Sequence, residues 1–166
     1  MIADALLIID MQNGVCISDN YEIENLNECI HKINNRIKQY RLKGKPIIFI
    51  QHNDESLVNG EFSWQIISEL DCQREDLYIQ KTHANSFYKT ELQHALSSFS
   101  IINIEICGAQ TEYCVDSTIK VAHGLGYNLQ MYSGLSTTYD NDYMKAQQTI
   151  NFYESIWNKR FLNLLT

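Results

Sequence analysis

IINIEICGAQTEYCVDSTIKVAHGLGYNLQMY, Ile101–Tyr132, reads as strand, turn, helix and strand in succession. Ile101–Cys107 is an apolar-rich run, and Gly108–Tyr113 reads as a tight turn. Val115–Leu125 has helical spacing closed by Gly126, and Asn128–Tyr132 is strand-like again. Two strands joined by a helix-length connection predict a parallel crossover, because antiparallel neighbours need only a short turn. The same unit repeats upstream. Ala5–Ile9 (ALLII) and Ile47–Ile50 (IIFI) are continuous apolar runs, the pattern of strands buried on both faces. Between them Leu26, Ile30, Ile33, Ile37 and Tyr40 fall on one helical face, ended by Gly44 and Pro46. A short helix is predicted around Trp64–Leu70. Leu77–Gln80 is a further strand ending at Lys81, and Tyr88, Leu92, Ala95 and Phe99 repeat the helical spacing. Downstream, Tyr143, Ala146, Ile150 and Tyr153 mark another helix, and Phe161–Leu165 is a short last strand or a docked tail. The expectation is a three-layer α/β/α fold with a mostly parallel central sheet. The pattern leaves strand order open.

Composition narrows the function classes. The 166 residues suit one domain spanning 1–166, with no linker or repeat and only one proline, Pro46. Net charge is −7 with no basic stripe, which argues against nucleic acid or anionic membrane as a partner. No apolar run approaches the roughly 18 residues of a membrane span, and MIADALLIID lacks the features of a signal peptide. The five cysteines are odd in number and lack CxxC spacing. Reduced thiols in a cytoplasmic protein are therefore expected, without disulfides, structural metal or cofactor.

Ligands of parallel sheets bind outside the carboxyl ends of the strands. Asp10, Gln51, His52, Lys81 and the turn leading to Cys114 all stand at such ends. Cys114 lies at a predicted helix start, where unpaired N–H groups favour thiolate and can hold an oxyanion. A lysine nearby would lower the thiol pKa further. A nucleophile, a carboxylate and a cation are what amide cleavage requires. Position alone is also compatible with a core cysteine, a turn aspartate and a solvated lysine.

Five segments in order resemble the isochorismatase-like cysteine hydrolases, which include nicotinamidases, N-carbamoylsarcosine amidase and streptothricin hydrolase. They are ALLIIDMQNG (Ala5–Gly14), KPIIFIQHND (Lys45–Asp54), IQKTHANSFYKTEL (Ile79–Leu92), CGAQTEYCVDSTIKVAHGLGY (Cys107–Tyr127) and STTYD (Ser136–Asp140). The resemblance implies a catalytic triad of Asp10, Lys81 and Cys114 and a cis peptide between Ala109 and Gln110. It also implies an oxyanion hole from the N–H groups of Gln110 and Cys114. The activity implied is hydrolysis of a small molecule's amide or carbamoyl bond through a Cys114 thioester, by a homo-oligomer. Metal-binding relatives carry an Asp-x-His pair after the second strand; here Gln51, His52, Asn53 and Asp54 stand there, so no metal is expected. His52, Trp64, Phe87 and Tyr113 are candidate substrate contacts. Gly134, Leu135 and Ser136 replace a frequent Asp-Ala-His, which keeps a catalytically silent binding or assembly protein as an alternative. Two others are cleavage of a vinyl ether and a thiol redox role.

Overall fold

Ala5–Ile9 forms strand β1, with every residue at most 1% exposed, as a run lacking a polar face requires. The structure, a computed structural model, describes residues 2–18 and 21–166. A one-turn helix α1 (Asn13–Cys16) and a small antiparallel pair, β2 (Ile17–Ser18) and β3 (Tyr21–Glu22), follow β1. Helix α2 (Leu26–Leu42) then leads to β4 (Ile47–His52) and β5 (Leu77–Lys81). After α3 (Leu92–Ser98) come β6 (Asn103–Ala109), a π-helical turn at Thr111–Val115 and α4 (Asp116–Gly124). The chain closes with β7 (Asn128–Tyr132), β8 (Ser136–Thr137), α5 (Ala146–Trp157) and β9 (Asn163–Leu165).

The main sheet runs β5-β4-β1-β6-β7-β9, with β8 paired to the far end of β6. Every pairing in it is parallel, and helices flank it in the expected three-layer arrangement. From β1 the chain builds outward through β4 and β5; from β6 it builds the other way. The order reverses between β1 and β6, and the crevice at their carboxyl ends is where such a sheet takes a ligand.

Two features hold these central strands. Gly108 in β6 has φ +121°, and a Cβ there would stand 2.1 Å from the Ile9 carbonyl oxygen. Only glycine allows β6 to approach β1 so closely. Glu105, fully buried in β6, would be costly alone. It is bound through Oε1 to Arg36 Nε (2.5 Å). Its Oε2 takes Arg36 Nη2 (2.7 Å), Tyr40 Oη (3.0 Å) and Gln130 Nε2 (2.6 Å). The pair ties α2 to the sheet.

Several expected boundaries move, each for a local reason. Trp64–Leu70 is not a helix: a 3₁₀ turn at Phe62–Trp64 is followed by an isolated bridge from Ile66 to Gln12 and a turn at Ser68–Glu69. Asn13 N–H donates to the Gln65 carbonyl and Ile67 N–H to that of Met11, so backbone after β1 takes the bonds a helix would use. Helix α3 begins at Leu92, not Tyr88, because Lys89 adopts φ +54°. Gly108 and Ala109 continue β6 instead of opening a turn. Helix α5 starts at Ala146, not Tyr143. Asn141 Oδ1 accepts from the N–H groups of Tyr143 and Met144, while Asp140 Oδ1 accepts from that of Ala146. The Phe161–Leu165 stretch resolves as a strand, β9.

Candidate active site

Asp10 directly follows β1 in the left-handed region (φ 50°), a conformation few non-glycine residues adopt. Its N–H donates to the Ile50 carbonyl, and its side chain is buried. Lys81, the last residue of β5, has a side chain with no exposed surface. Cys114 sits in the π-helical turn after β6, half-buried, beyond a cis peptide joining Ala109 to Gln110.

Lys81 Nζ joins these groups. It lies 2.6 Å from Asp10 Oδ2, 2.9 Å from His52 Nδ1 and 3.3 Å from Cys114 Sγ. An ammonium has three N–H donors, and three acceptors surround this one. His52 accepts through Nδ1, so its proton sits on Nε2, which faces Asp54 Oδ2 at 3.4 Å. Asp54 is held in turn by the N–H groups of Ser56 (2.8 Å) and Leu57 (2.9 Å) and by the Ser56 hydroxyl (2.7 Å).

The charge states follow from burial and neighbours. Burial raises the Asp10 carboxyl above the ordinary carboxylate range, opposed by the Lys81 ammonium. Burial and then Lys81 push His52 down, which keeps its imidazole neutral. The Cys114 thiol is pushed up to about 12, first by burial and then by the Asp10 charge, with Lys81 opposing. That corrects the expectation of a lowered thiol pKa: Lys81 is nearby, but it does not outweigh desolvation and the carboxylate. Asp10 Oδ1 is buried with no hydrogen-bond partner, while the Cys114 thiol beside the carboxylate lowers the carboxyl pKa against the effect of burial.

Asp10, His52 and Cys114 also present ligand atoms within 4.8 Å of one another, the only such three-residue group among the described residues. Lys81 Nζ contacts all three, so the cation they surround is an ammonium, and a metal would have to displace it.

A cavity of about 310 Å³ opens over Cys114, lined by Asp10, His52, Asp54, Gln110 and Tyr113 among others. Thus His52 and Tyr113 stand at the site, whereas Trp64 and Phe87 do not line this cavity. The Trp64 indole N–H donates to Gln80 Oε1 (3.2 Å) and the ring faces a separate hollow; Phe87 stacks on Tyr127 at 5.8 Å between centroids. Gln12 is the residue that sequence reasoning missed. Fully buried, it donates to the carbonyls of His52 (3.0 Å) and Trp64 (2.7 Å) and accepts from the His52 N–H (2.7 Å). It thereby fixes the backbone that carries His52. A polar residue two places after Asp10, beside a buried strand, was the available signal.

A thiol, a carboxylate and an ammonium in mutual contact at the switch point of a parallel sheet are the equipment of a hydrolase. Comparison with known proteins agrees. The family described as Isochorismatase domain matches residues 4–154. An uncharacterized isochorismatase family protein of Bacillus subtilis, YrdC, is 28% identical, covering 98% of this chain and 91% of its own length. The ureidoacrylate amidohydrolase RutB of Caulobacter segnis is 22% identical over 74% of this chain and 67% of its own. A crystal structure of an isochorismatase family protein superimposes with TM-score 0.95 at 44% identity, covering 98% of this chain and 97% of that one. The chain belongs to the isochorismatase family, and it is a hydrolase. No helix among the described residues is long and apolar enough to cross a membrane.

Proposed function

We propose that this hydrolase cleaves a C–N bond, of amide or carbamoyl type, in a small molecule through a thioester on Cys114. The observation that carries the reading is Lys81 Nζ bridging Asp10 Oδ2 at 2.6 Å and Cys114 Sγ at 3.3 Å. Asp10 takes the Cys114 proton as sulfur attacks the carbonyl carbon. The developing oxyanion is held by the N–H groups of Gln110 and Cys114. Asp10 then gives that proton to the departing nitrogen, the C–N bond breaks, and an amine leaves a thioester behind. Water, losing a proton to Asp10, attacks the thioester; the acid departs and the proton returns to sulfur. Lys81 stays charged throughout and offsets the negative charge that moves between oxygen and sulfur. The amidohydrolase name of the RutB relatives supports C–N cleavage. Five free cysteines support a cytoplasmic location, and the family resemblance supports a homo-oligomer.

A panel of simple amides and ureido compounds, run with wild type and Cys114→Ala, tests the scheme. Turnover should fall at least about 1,000-fold in the variant. Mass spectrometry of acid-quenched wild type should show an acyl adduct on Cys114. Retained turnover in Cys114→Ala would overturn the thioester.

A further inference from the structure

Beside the cavity over Cys114 lies a larger one, about 700 Å³, and the two share Gly14, Val15 and Gln110 as a common wall. Nothing in the chemistry above uses it. A single planar amide fills little of such a space, so the cavity has room for the part of a substrate that does not react. Among the described residues its lining carries Glu22, Glu24 and Asp140 and no lysine, arginine or histidine. Asp140 is answered by Lys145 Nζ at 2.6 Å. Glu22 and Glu24 have no ion-pair partner among the described residues. Two tyrosines, Tyr21 and Tyr139, complete this wall; the Tyr139 hydroxyl is anchored on the Val15 carbonyl at 3.0 Å. Aromatic faces beside uncompensated carboxylates attract an organic cation by both ring quadrupole and charge.

A second observation is independent of the charge. Thr138 lines the same cavity, is fully buried, and its Oγ1 has no hydrogen-bond partner. A buried hydroxyl without a partner is costly, and a ligand N–H would satisfy it.

We propose that the larger cavity binds a positively charged tail, an ammonium or guanidinium, of the substrate whose carbonyl is attacked at Cys114. Glu22 and Glu24 supply the charge, the tyrosines the walls, and Thr138 an acceptor. The proposal rests on the C–N hydrolase reading and adds a substrate class to it.

The test uses matched amides with a tail on the acyl or the amine side, in graded lengths. Within each set the tail ends in a primary ammonium, in a methyl group of equal size, or in a carboxylate. The kcat/KM of wild type should favour the ammonium over the methyl compound by about tenfold or more, with the carboxylate poorest. In the double variant Glu22→Gln/Glu24→Gln the ammonium advantage should vanish while the methyl compound is unaffected. Thr138→Val should weaken the ammonium compound alone. Equal rates for ammonium and methyl tails at every length would overturn the proposal, as would an ammonium preference untouched by the double variant. Calorimetric binding to Cys114→Ser separates the two readings. Selective binding of the ammonium compounds without any wild-type turnover would sink the C–N hydrolase reading and leave the cationic cavity standing.

Discussion

At Asp10 one carboxylate affects two neighbours at once: it anchors Lys81 and raises the Cys114 thiol. Because the Asp10 charge raises the thiol and Lys81 lowers it, removing only the former should pull the thiol pKa down from about 12. In Asp10→Asn, alkylation of Cys114 by iodoacetamide at neutral pH should therefore accelerate about tenfold or more. Amide turnover should fall by roughly 1,000-fold in the same variant, since the proton carrier is gone. The two rates are measured site by site by mass spectrometry and by product formation. Slower alkylation would show that Asp10 does not hold the thiol protonated. At this scale much of the site was legible: Asp10, Lys81, Cys114, His52 and Tyr113 were named from strand ends and motif, and the fold brings them together. The direction of the thiol pKa was not legible, because burial and the nearness of Asp10 exist only in three dimensions. Trp64 and Phe87 were misassigned to the cavity because a sequence shows that a ring is apolar but not which way it packs.

Elements are pinned at their starts. Asp4, just before β1, accepts through Oδ2 from the N–H groups of Ile102 (3.3 Å) and Asn103 (3.0 Å) and from Asn103 Nδ2 (2.7 Å). Its Oδ1 faces Lys45 Nζ at 3.3 Å. The Asn103 backbone bond is the largest cause holding its carboxyl down at about 2. A folded pKa below the unfolded value means the stabilisation is present above about pH 4 and is lost as pH falls toward 2. Asp4→Asn should thus lower stability at neutral pH by about 1 kcal/mol, discounted for solvent screening. The difference from wild type should shrink below about pH 4 and close only as pH falls to about 2, as followed by urea melts across pH. A difference independent of pH would mean that the charge is not what matters. Element type was legible wherever period and burial agree, as in β1, β4 and α2. It failed at Trp64–Leu70, where bonds to Met11 and Asn13 overrode the local pattern.

Across the whole molecule, strand order is the property that periodicity could not supply, since any parallel order uses the same alternation. The structure puts β1 and β6 side by side, and that adjacency brings Asp10 to Cys114. Net charge acts at this scale as well. With −7 overall and carboxylates around the larger cavity, cationic amides should be drawn in at low salt. Their kcat/KM should fall as sodium chloride rises from about 10 mM to 500 mM, while methyl-tailed amides change little. Parallel salt curves for the two would argue against any steering by charge. The adjacency of β1 and β6 also bears on biosynthesis. Asp10 and Lys81 stand 71 residues apart, and Cys114 follows Lys81 by 33. A nascent chain thus acquires Asp10 and Lys81 before Cys114. The contact among the three groups therefore forms only once β6 and the turn after it have been made and laid beside β1.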